Sequence, residues 1–368
     1  MPTTKKLKII HTEASPHWGG QEIRIFEEMK WFRQQGHEMI LIAPSNGTLY
    51  KRCAESGFQV ISIYFTKPRT ILNIFKTAWI IWRLKPHGVA THSSTDSWAV
   101  LIAAYTLRIR VRARYRHVST TIRKNLFNRI QYRYLCSIIV TTGECISDHI
   151  RKTFLVDKTK VKTLPTALYP PNNLPTKRDS RNLLIREIGA KQNSFAIGQI
   201  SVLRSWKGHK SLIDAFDKVA QKNRDVILVI VGGGPIEARI HELVDKSFYK
   251  NRIYCLGHKE KPWPYFSALD VMVLASTKNE GIPQALLQAM YSETNVIATS
   301  VGGIPEVVTN LKNGLLIEPD NPVELAEAIE FYINDKTQAS NMIREGKAFV
   351  DLKFSKEIMG EKLTEIYS

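Results

Sequence analysis

Three groups of side chains in this sequence have the types and spacing to act on a charged, hydroxyl-bearing ligand. The first lies in Ala275–Met290, A-S-T-K-N-E-G-I-P-Q-A-L-L-Q-A-M. Glu280 offers a carboxylate that accepts hydrogen bonds from sugar hydroxyls, and Gln288, about two helical turns on, reaches another part of the same ligand. The second is Arg204-Ser-Trp-Lys207-Gly208, where a planar guanidinium fork and a compact ammonium suit phosphate oxygens. The plainer reading is two solvated bases at a helix start. The third is His92, at the end of G-V-A-T-H and before Ser93-Ser-Thr-Asp96. Here the plainer reading is a histidine bonded to the Ser/Thr-rich turn, with Asp96 as N-cap of the next helix.

The elements around these residues must place them. Asp270–Leu274 is an apolar run that fits a buried strand, and Pro283–Tyr291 fits a helix with proline near its first turn. Glu280, Gly281, Ile282 and Pro283 therefore lie between the carboxyl end of a strand and the amino end of a helix. Ligands of open α/β sheets bind at such places, and helix N-termini favour anions such as phosphate. The first half begins with a strand at Leu7–His11, then a loop with Gly19 and Gly20, then a helix over Gln21–Gln35 closed by Gly36. Further strands are expected at Glu38–Ala43, Phe58–Tyr64, Gly88–His92, Ile138–Thr142 and Val161–Leu164, with Ser119 in or beside another. Helices between them imply a parallel, doubly wound sheet. The proline-rich stretch Pro165–Pro175 marks a boundary. Strands at Phe195–Val202, Val226–Val231, Ile253–Leu256, Val271–Leu274 and Val296–Thr299 then restart the alternation, and Ser355–Tyr367 is helical. The expected divisions are residues 1–170, 171–352 and 353–368. Gly232–Pro235 shapes a turn, since it lacks the spacing of a dinucleotide fingerprint.

Charge divides the chain unequally. Residues 1–180 hold 29 Lys and Arg against 11 Asp and Glu, an excess of 18, whereas residues 181–368 hold 23 of each. A one-sided basic field points to an anionic partner: membrane lipid, nucleic acid or a phosphorylated substrate. Cys53, Cys136, Cys145 and Cys255 are scattered without C-x-x-C pairing, which argues against zinc and a disulfide framework. With no signal-peptide pattern and no spanning apolar run, a cytoplasmic location is expected. Neither a D-x-D element after a strand nor ligand-spaced His, Asp or Glu is present, in keeping with chemistry that uses no metal.

The stretch around Glu280-Gly-Ile-Pro resembles S-x-x-x-E-G-x-P-x-x-L-L-E-A-M of the retaining nucleotide-sugar glycosyltransferases of family 4, and the resemblance extends over most of the 368 residues. It implies the GT-B fold: two Rossmann-like α/β domains with doubly wound parallel sheets facing a cleft, and a C-terminal helix crossing back to the first. It implies a UDP- or GDP-sugar as donor and, by the family's habits, a glycan or glycolipid acceptor of surface polysaccharide or lipopolysaccharide synthesis. Arg204 and Lys207 would bind the diphosphate, Leu256 would lie near the base, and Gly19–Gly20 would face acceptor and diphosphate. His92 would lie near the donor sugar's C6 hydroxyl. Two positions depart from the pattern: Gln288 stands where a second glutamate is usual, and Val202 where an arginine is. With no evident carboxylate nucleophile, a front-face substitution is expected, in which the departing phosphate helps take the acceptor's proton.

Two basic stretches remain. Arg108, Arg110, Arg112, Arg114 and Arg116 alternate, which in a strand puts them on one face that must be an edge, line a cleft or meet an anion. A solvated edge and docking on anionic lipid or an acidic acceptor are both open. Thr70–Lys85 carries Trp79 and Trp82 among Lys76, Arg83 and Lys85; its apolar residues surround the axis, which favours a core helix over an interfacial one. A non-catalytic sugar-nucleotide-binding protein and a basic nucleic-acid- or membrane-binding protein are the alternatives. Nucleic acid is not expected, because no recognised binding module is present.

Overall fold

The computed structural model describes residues 6–117, 122–278 and 280–368; Ser119 lies outside the described residues. The chain forms two compact units, Met1–Ala167 with Lys356–Ser368, and Leu168–Ser355.

The first unit alternates β1 (Lys8–Thr12), α1 (Gly20–Gln34), β2 (Glu38–Ala43), α2 (Thr48–Glu55), β3 (Gln59–Ser62), α3 (Thr70–Leu84) and β4 (Gly88–Thr91). It continues through α4 (Ser94–Thr106), β5 (Val111–Arg116), α5 (Leu126–Ile130), β6 (Ile138–Thr141), α6 (Glu144–Phe154) and β7 (Val161–Thr163). All strands are parallel in the order β3-β2-β1-β4-β5-β6-β7, so the winding reverses between β1 and β4. Short apolar runs such as Met39–Ala43 are buried on both faces, as parallel strands covered by helices must be. Gly36, at φ +84°, ends α1 as its position foretold.

The second unit comprises α7 (Lys177–Ile188), β8 (Phe195–Ile200), α8 (His209–Lys222), β9 (Val226–Val231), α9 (Glu237–Asp245), β10 (Ile253–Cys255) and α10 (Trp263–Ala268). Then come β11 (Val271–Leu274), α11 (Gln284–Tyr291), β12 (Asn295–Thr299), β13 (Leu315–Ile317), α12 (Pro322–Asn334) and α13 (Lys336–Lys353). Its parallel sheet runs β10-β9-β8-β11-β12-β13, reversing between β8 and β11. Leu228, Ile230, Val273 and Phe216 fill one face; Val229, Met272, Leu286 and Phe266 fill the other.

The last helix, α14 (Lys356–Tyr367), belongs to the first unit. Gly360 lies so close to Trp31 that a Cβ there would fall 2.1 Å from the indole, and the Tyr367 hydroxyl is 3.3 Å from that of Tyr115. No helix among the described residues is long and apolar enough to cross a membrane.

Two expectations are corrected. The arginine stripe is not an edge, because β5 pairs with β4 on one side and β6 on the other. Arg114 is buried and donates to the carbonyls of Thr91 (3.3 Å) and Tyr115 (2.8 Å); Arg112 donates to those of Leu135 (2.7 Å) and Ile109 (2.5 Å). A guanidinium with carbonyl partners tolerates burial that an unpaired charge does not. Arg108 and Arg110 are exposed in the turn before the strand. Nor is α3 a core helix: only one side is buried, through Asn73, Thr77, Ile80 and Ile81, while Ile71, Leu72, Phe75, Trp79 and Trp82 are exposed.

Candidate functional site

In an open α/β sheet the crevice for a ligand lies outside the carboxyl ends of the strands where the winding reverses. In the second unit that point lies between β8 and β11. The loop after β8 carries Arg204–Gly208 and the loop after β11 carries Ala275–Pro283. The two meet at Gly208, whose φ is +69° and where any Cβ would fall 1.8 Å from the Ala275 carbonyl oxygen. Only glycine accommodates both the left-handed backbone and that approach. The Thr277 amide donates to the Trp206 carbonyl at 2.8 Å, tying the loops again.

This junction brings Lys207 and Glu280 together across 73 residues. Lys207 Nζ donates to Glu280 Oε1 at 2.6 Å, and Ser276 Oγ donates to the same oxygen at 2.6 Å. Both partners are largely buried, with side chains 15% and 8% exposed. Lys207 closes a short 3₁₀ turn, Ser205–Lys207, and α8 starts only at His209, a small correction to a lysine at the helix start. Beneath it, Gln199 Nε2 donates to the Lys207 carbonyl at 2.9 Å and lies 3.0 Å from His209 Nε2. Burial first, and then the Lys207 charge, lower the His209 pKa to about 4, so the support is neutral.

The other residues expected to bind a donor lie on these two loops, on α11 and after β10. Arg204 is exposed, its guanidinium 5.1 Å from the Trp206 ring centroid. Gly281 is half-buried and Ile282 buried, and Pro283 is the N-cap of α11 rather than part of its first turn. Gln288 is half-buried in α11, and no hydrogen bond among the described residues joins it to Lys207 or Glu280. Leu256 follows β10, its amide donating to Ile230 O at 2.9 Å. Gly302 and Gly303 brace the loop. The Gly303 amide donates to Glu280 O at 3.2 Å, and a Cβ at Gly302 would fall 2.1 Å from that oxygen. Ser276 is the serine of the S-x-x-x-E pattern, to which the sequence had assigned no role of its own.

The first unit has its own reversal point, between β1 and β4. Glu13, directly after β1, is fully buried and accepts from the amides of Ala14 (2.7 Å) and Ser15 (2.8 Å) and from the side chains of Gln21 and Ser93. Gly19 is the N-cap of α1 and Gly20 its exposed first residue. His92 does not turn its ring to the Ser/Thr-rich turn. It lies in a column of three histidines, with Nε2 3.0 Å from His11 Nδ1 and Nδ1 2.9 Å from His117 Nε2, its ring stacked on both. One neutral tautomer running in either direction satisfies both contacts. Burial lowers the His11 pKa to about 3 and also lowers those of His92 and His117, so all three are neutral.

Asp96 is not the N-cap of α4, a place taken by Ser93; it sits inside the first turn. Its carboxyl accepts from Thr12 Oγ1 at 2.6 Å and from the His92 amide at 3.1 Å. Burial, and then the charge of Glu13, raise its pKa to about 7.

Two open parallel sheets, one with a lysine–carboxylate pair at its reversal point beside a glycine-braced loop, define a two-domain α/β protein of the GT-B kind. The chain belongs to the family 4, group 1 glycosyltransferases: the model for "Glycosyltransferase Family 4" matches residues 18–168 and that for "Glycosyl transferases group 1" residues 180–349. The capsular polysaccharide biosynthesis glycosyltransferase CapM of Staphylococcus aureus is 28% identical over 177 residues, covering 48% of this chain and 46% of CapM. The chain spans about half the length of the curated relatives it matches. A glycosyltransferase from Rickettsia africae ESF-5 shares the fold with a TM-score of 0.87 at 22% identity, covering 99% of this chain and 98% of that one. Anabaena Alr3699/HepE, solved with UDP-glucose, shares it with a TM-score of 0.81 at 19% identity, over 98% of each chain.

Proposed function

We propose that the protein transfers a sugar from a UDP- or GDP-sugar to a hydroxyl of a glycan or glycolipid acceptor. Transfer proceeds with retention and without a metal cofactor, in surface polysaccharide or lipopolysaccharide synthesis on the cytoplasmic face of the membrane. The observation that carries this reading is the Lys207–Glu280 pair at the reversal point of the second sheet. A diphosphate at the β8 loop competes with Glu280 for the ammonium of Lys207. Once Lys207 turns to phosphate, Glu280 is released to accept from a sugar hydroxyl. Arg204 adds a second cation, Leu256 borders the base, Gly281, Ile282 and Pro283 shape the sugar's pocket, and Gln288 bonds a ribose hydroxyl through its amide. UDP-glucose in the Anabaena protein supports a uridine donor.

In the reaction the bond from sugar C1 to the diphosphate oxygen breaks with its electron pair on that oxygen. The acceptor oxygen bonds to C1 from the same face, and its proton passes to the departing phosphate. Arg204 and Lys207 hold the developing charge, the largest single contribution such a site makes. Gly19 and Gly20, at the start of α1, are assigned to the acceptor. With both ring nitrogens engaged, His92 acts by holding His11 and His117 in register.

A thermal-shift panel of UDP, GDP, ADP and their sugars, with EDTA present, tests the reading. A ligand at 100 times its Kd adds about 2.7 kcal/mol of stability. One nucleotide should stabilise the protein without metal, and Glu280→Ala should abolish that; a flat panel refutes donor binding. If His92→Ala and Lys207→Ala both leave sugar transfer unchanged, the catalytic assignment is wrong and a binding protein remains.

A further inference from the structure

Helix α3 is inside out. Its buried side contains the polar Asn73 and Thr77 beside Ile80 and Ile81. These polar groups are satisfied locally: Asn73 Nδ2 donates to Tyr64 O at 3.0 Å and Thr77 Oγ1 to Asn73 O at 2.7 Å. The opposite side presents Ile71, Leu72, Phe75, Trp79 and Trp82, each between 52% and 73% exposed. At about 100° per residue these five fall within an arc of about 100°, centred opposite the buried four. Single exposed apolar residues are ordinary, but five large ones on one face, two of them tryptophan, mark a surface that meets an apolar medium.

Charge identifies that medium. Lys67, Arg69, Lys76, Arg83 and Lys85 flank the face and are all exposed. No Asp or Glu occurs between Glu55 and Asp96, and among the described residues none of these five cations is in an ion pair. Arg69 and Lys76 also line a hollow beside the helix with Tyr64 and Asn73. A second copy of this chain would set these cations against their own equivalents, whereas an anionic bilayer complements them. Tryptophans on an apolar face bordered by Lys and Arg are the composition of a helix lying in the plane of a lipid–water interface. We propose that α3 is the membrane-docking element, lying in the headgroup layer with Phe75, Trp79 and Trp82 inserted and its cations on anionic lipid phosphates. This assignment rests on the proposed membrane-face location and supplies the surface responsible.

The test is flotation of the full chain with vesicles of phosphatidylcholine alone and of phosphatidylcholine with phosphatidylglycerol at about 7:3, a content chosen to give the negative surface potential that polybasic segments sense. The wild type should float with the anionic vesicles and much less with the neutral ones. Phe75→Ser with Trp82→Ser should lower partitioning about 100-fold, roughly tenfold for each partly inserted side chain. Lys76→Gln with Arg83→Gln should remove most of the preference for phosphatidylglycerol. Both double variants should keep the wild-type circular dichroism and the wild-type thermal shift with nucleotide, whose site lies in the other unit. If the wild type floats and Phe75→Ser with Trp82→Ser floats equally, the membrane reading stands and α3 is not the docking element. If the wild type floats with neither vesicle, both fail, while sugar transfer remains separately testable. If the wild type self-associates in sedimentation and the apolar double variant is monomeric, the face belongs to a second copy and the proposal is overturned.

Discussion

Replacing Lys207 by methionine probes the site through its effect on folding, before any ligand is added. Glu280 Oε1 would lose its charged donor at 2.6 Å and keep only the hydroxyl of Ser276. Breaking a buried pair from one side typically costs 3–5 kcal/mol, since the surviving charge stays desolvated. Here the side chains retain 15% and 8% exposure and Ser276 still donates, which reduces the expected loss to about 2–4 kcal/mol. For a unit of this length each kcal/mol shifts the unfolding midpoint by about 2–4 °C, so a fall of about 5–15 °C is expected. Lys210→Met is the control: it removes an exposed i,i+4 pair with Asp214, worth about 0.3–0.5 kcal/mol. Lys207→Met combined with Glu280→Gln should recover most of the loss, because no unpaired charge remains. Urea unfolding and calorimetry measure all four proteins. A Lys207→Met effect no larger than that of Lys210→Met would show that the pair is solvated and loose, removing the basis for a preorganised phosphate-binding lysine.

Acidification should separate His11 from solvent histidines. His11 stays neutral in the folded chain down to about pH 3, while its unfolded counterpart protonates near the ordinary 6.5. Its stabilising contribution is therefore complete above pH 6.5 and is lost as the pH falls towards 3, by about 1.4 kcal/mol per pH unit. Urea unfolding at pH 7 and pH 5 should show His11→Gln losing about 2 kcal/mol less than the wild type; equal losses would mean the column is wet. Gly208→Ala forces a Cβ against the Ala275 carbonyl at a left-handed φ and should destabilise the second unit and abolish the nucleotide thermal shift. Gly233→Ala, whose nearest neighbours would lie 3.5 and 3.6 Å away, should be tolerated, and equal effects in the two variants would refute the close-approach argument. Gly360→Ala should lower the midpoint of the first unit by displacing the Trp31 indole; an unchanged midpoint in a calorimetric scan would show that α14 docks without that contact.

Much of the framework was legible because parallel strands advertise themselves. Met39–Ala43, Val226–Val231 and Val271–Leu274 are uninterrupted apolar runs, and the observed strands Glu38–Ala43, Val226–Val231 and Val271–Leu274 have the limits read from the chain. The loop residues Lys207 and Glu280 could be singled out because each follows an expected strand in a stretch that resembles the family's pattern. What the sequence hid depends on partners distant along the chain. The histidine column requires β1, β4 and β5 to lie side by side, joining residues 81 and 25 positions apart. Only the sheet order brings His11 and His117 to His92, and a lone histidine at one strand end gives no sign of them. Arg114 misled for a related reason: alternation says which face a side chain takes, but the carbonyls that make burial tolerable belong to neighbouring strands and turns. In α3, periodicity could not say which side met the protein, because the buried side holds polar groups satisfied by its own helix and by Tyr64.

The distribution of charge gives these local findings a common sense. In residues 181–368 bases and acids are equal in number, and the central cation of the proposed donor site, Lys207, is held by a carboxylate. A site that must select one small dianion from the cell's many phosphates benefits from a cation whose release depends on an exact replacement for Glu280. In residues 1–180 the bases exceed the acids by 18, and the 40-residue interval between Glu55 and Asp96 contains no acid at all. Unbalanced charge selects poorly among small anions, and salt screens it beyond about 10 Å. It suits an extended anionic surface, where each Lys or Arg near the headgroups contributes about 1 kcal/mol and no single contact must be specific. If both proposals hold, the two halves obey different electrostatic rules because they would face different anions: a diphosphate bound in one geometry, and a lipid surface bound in many.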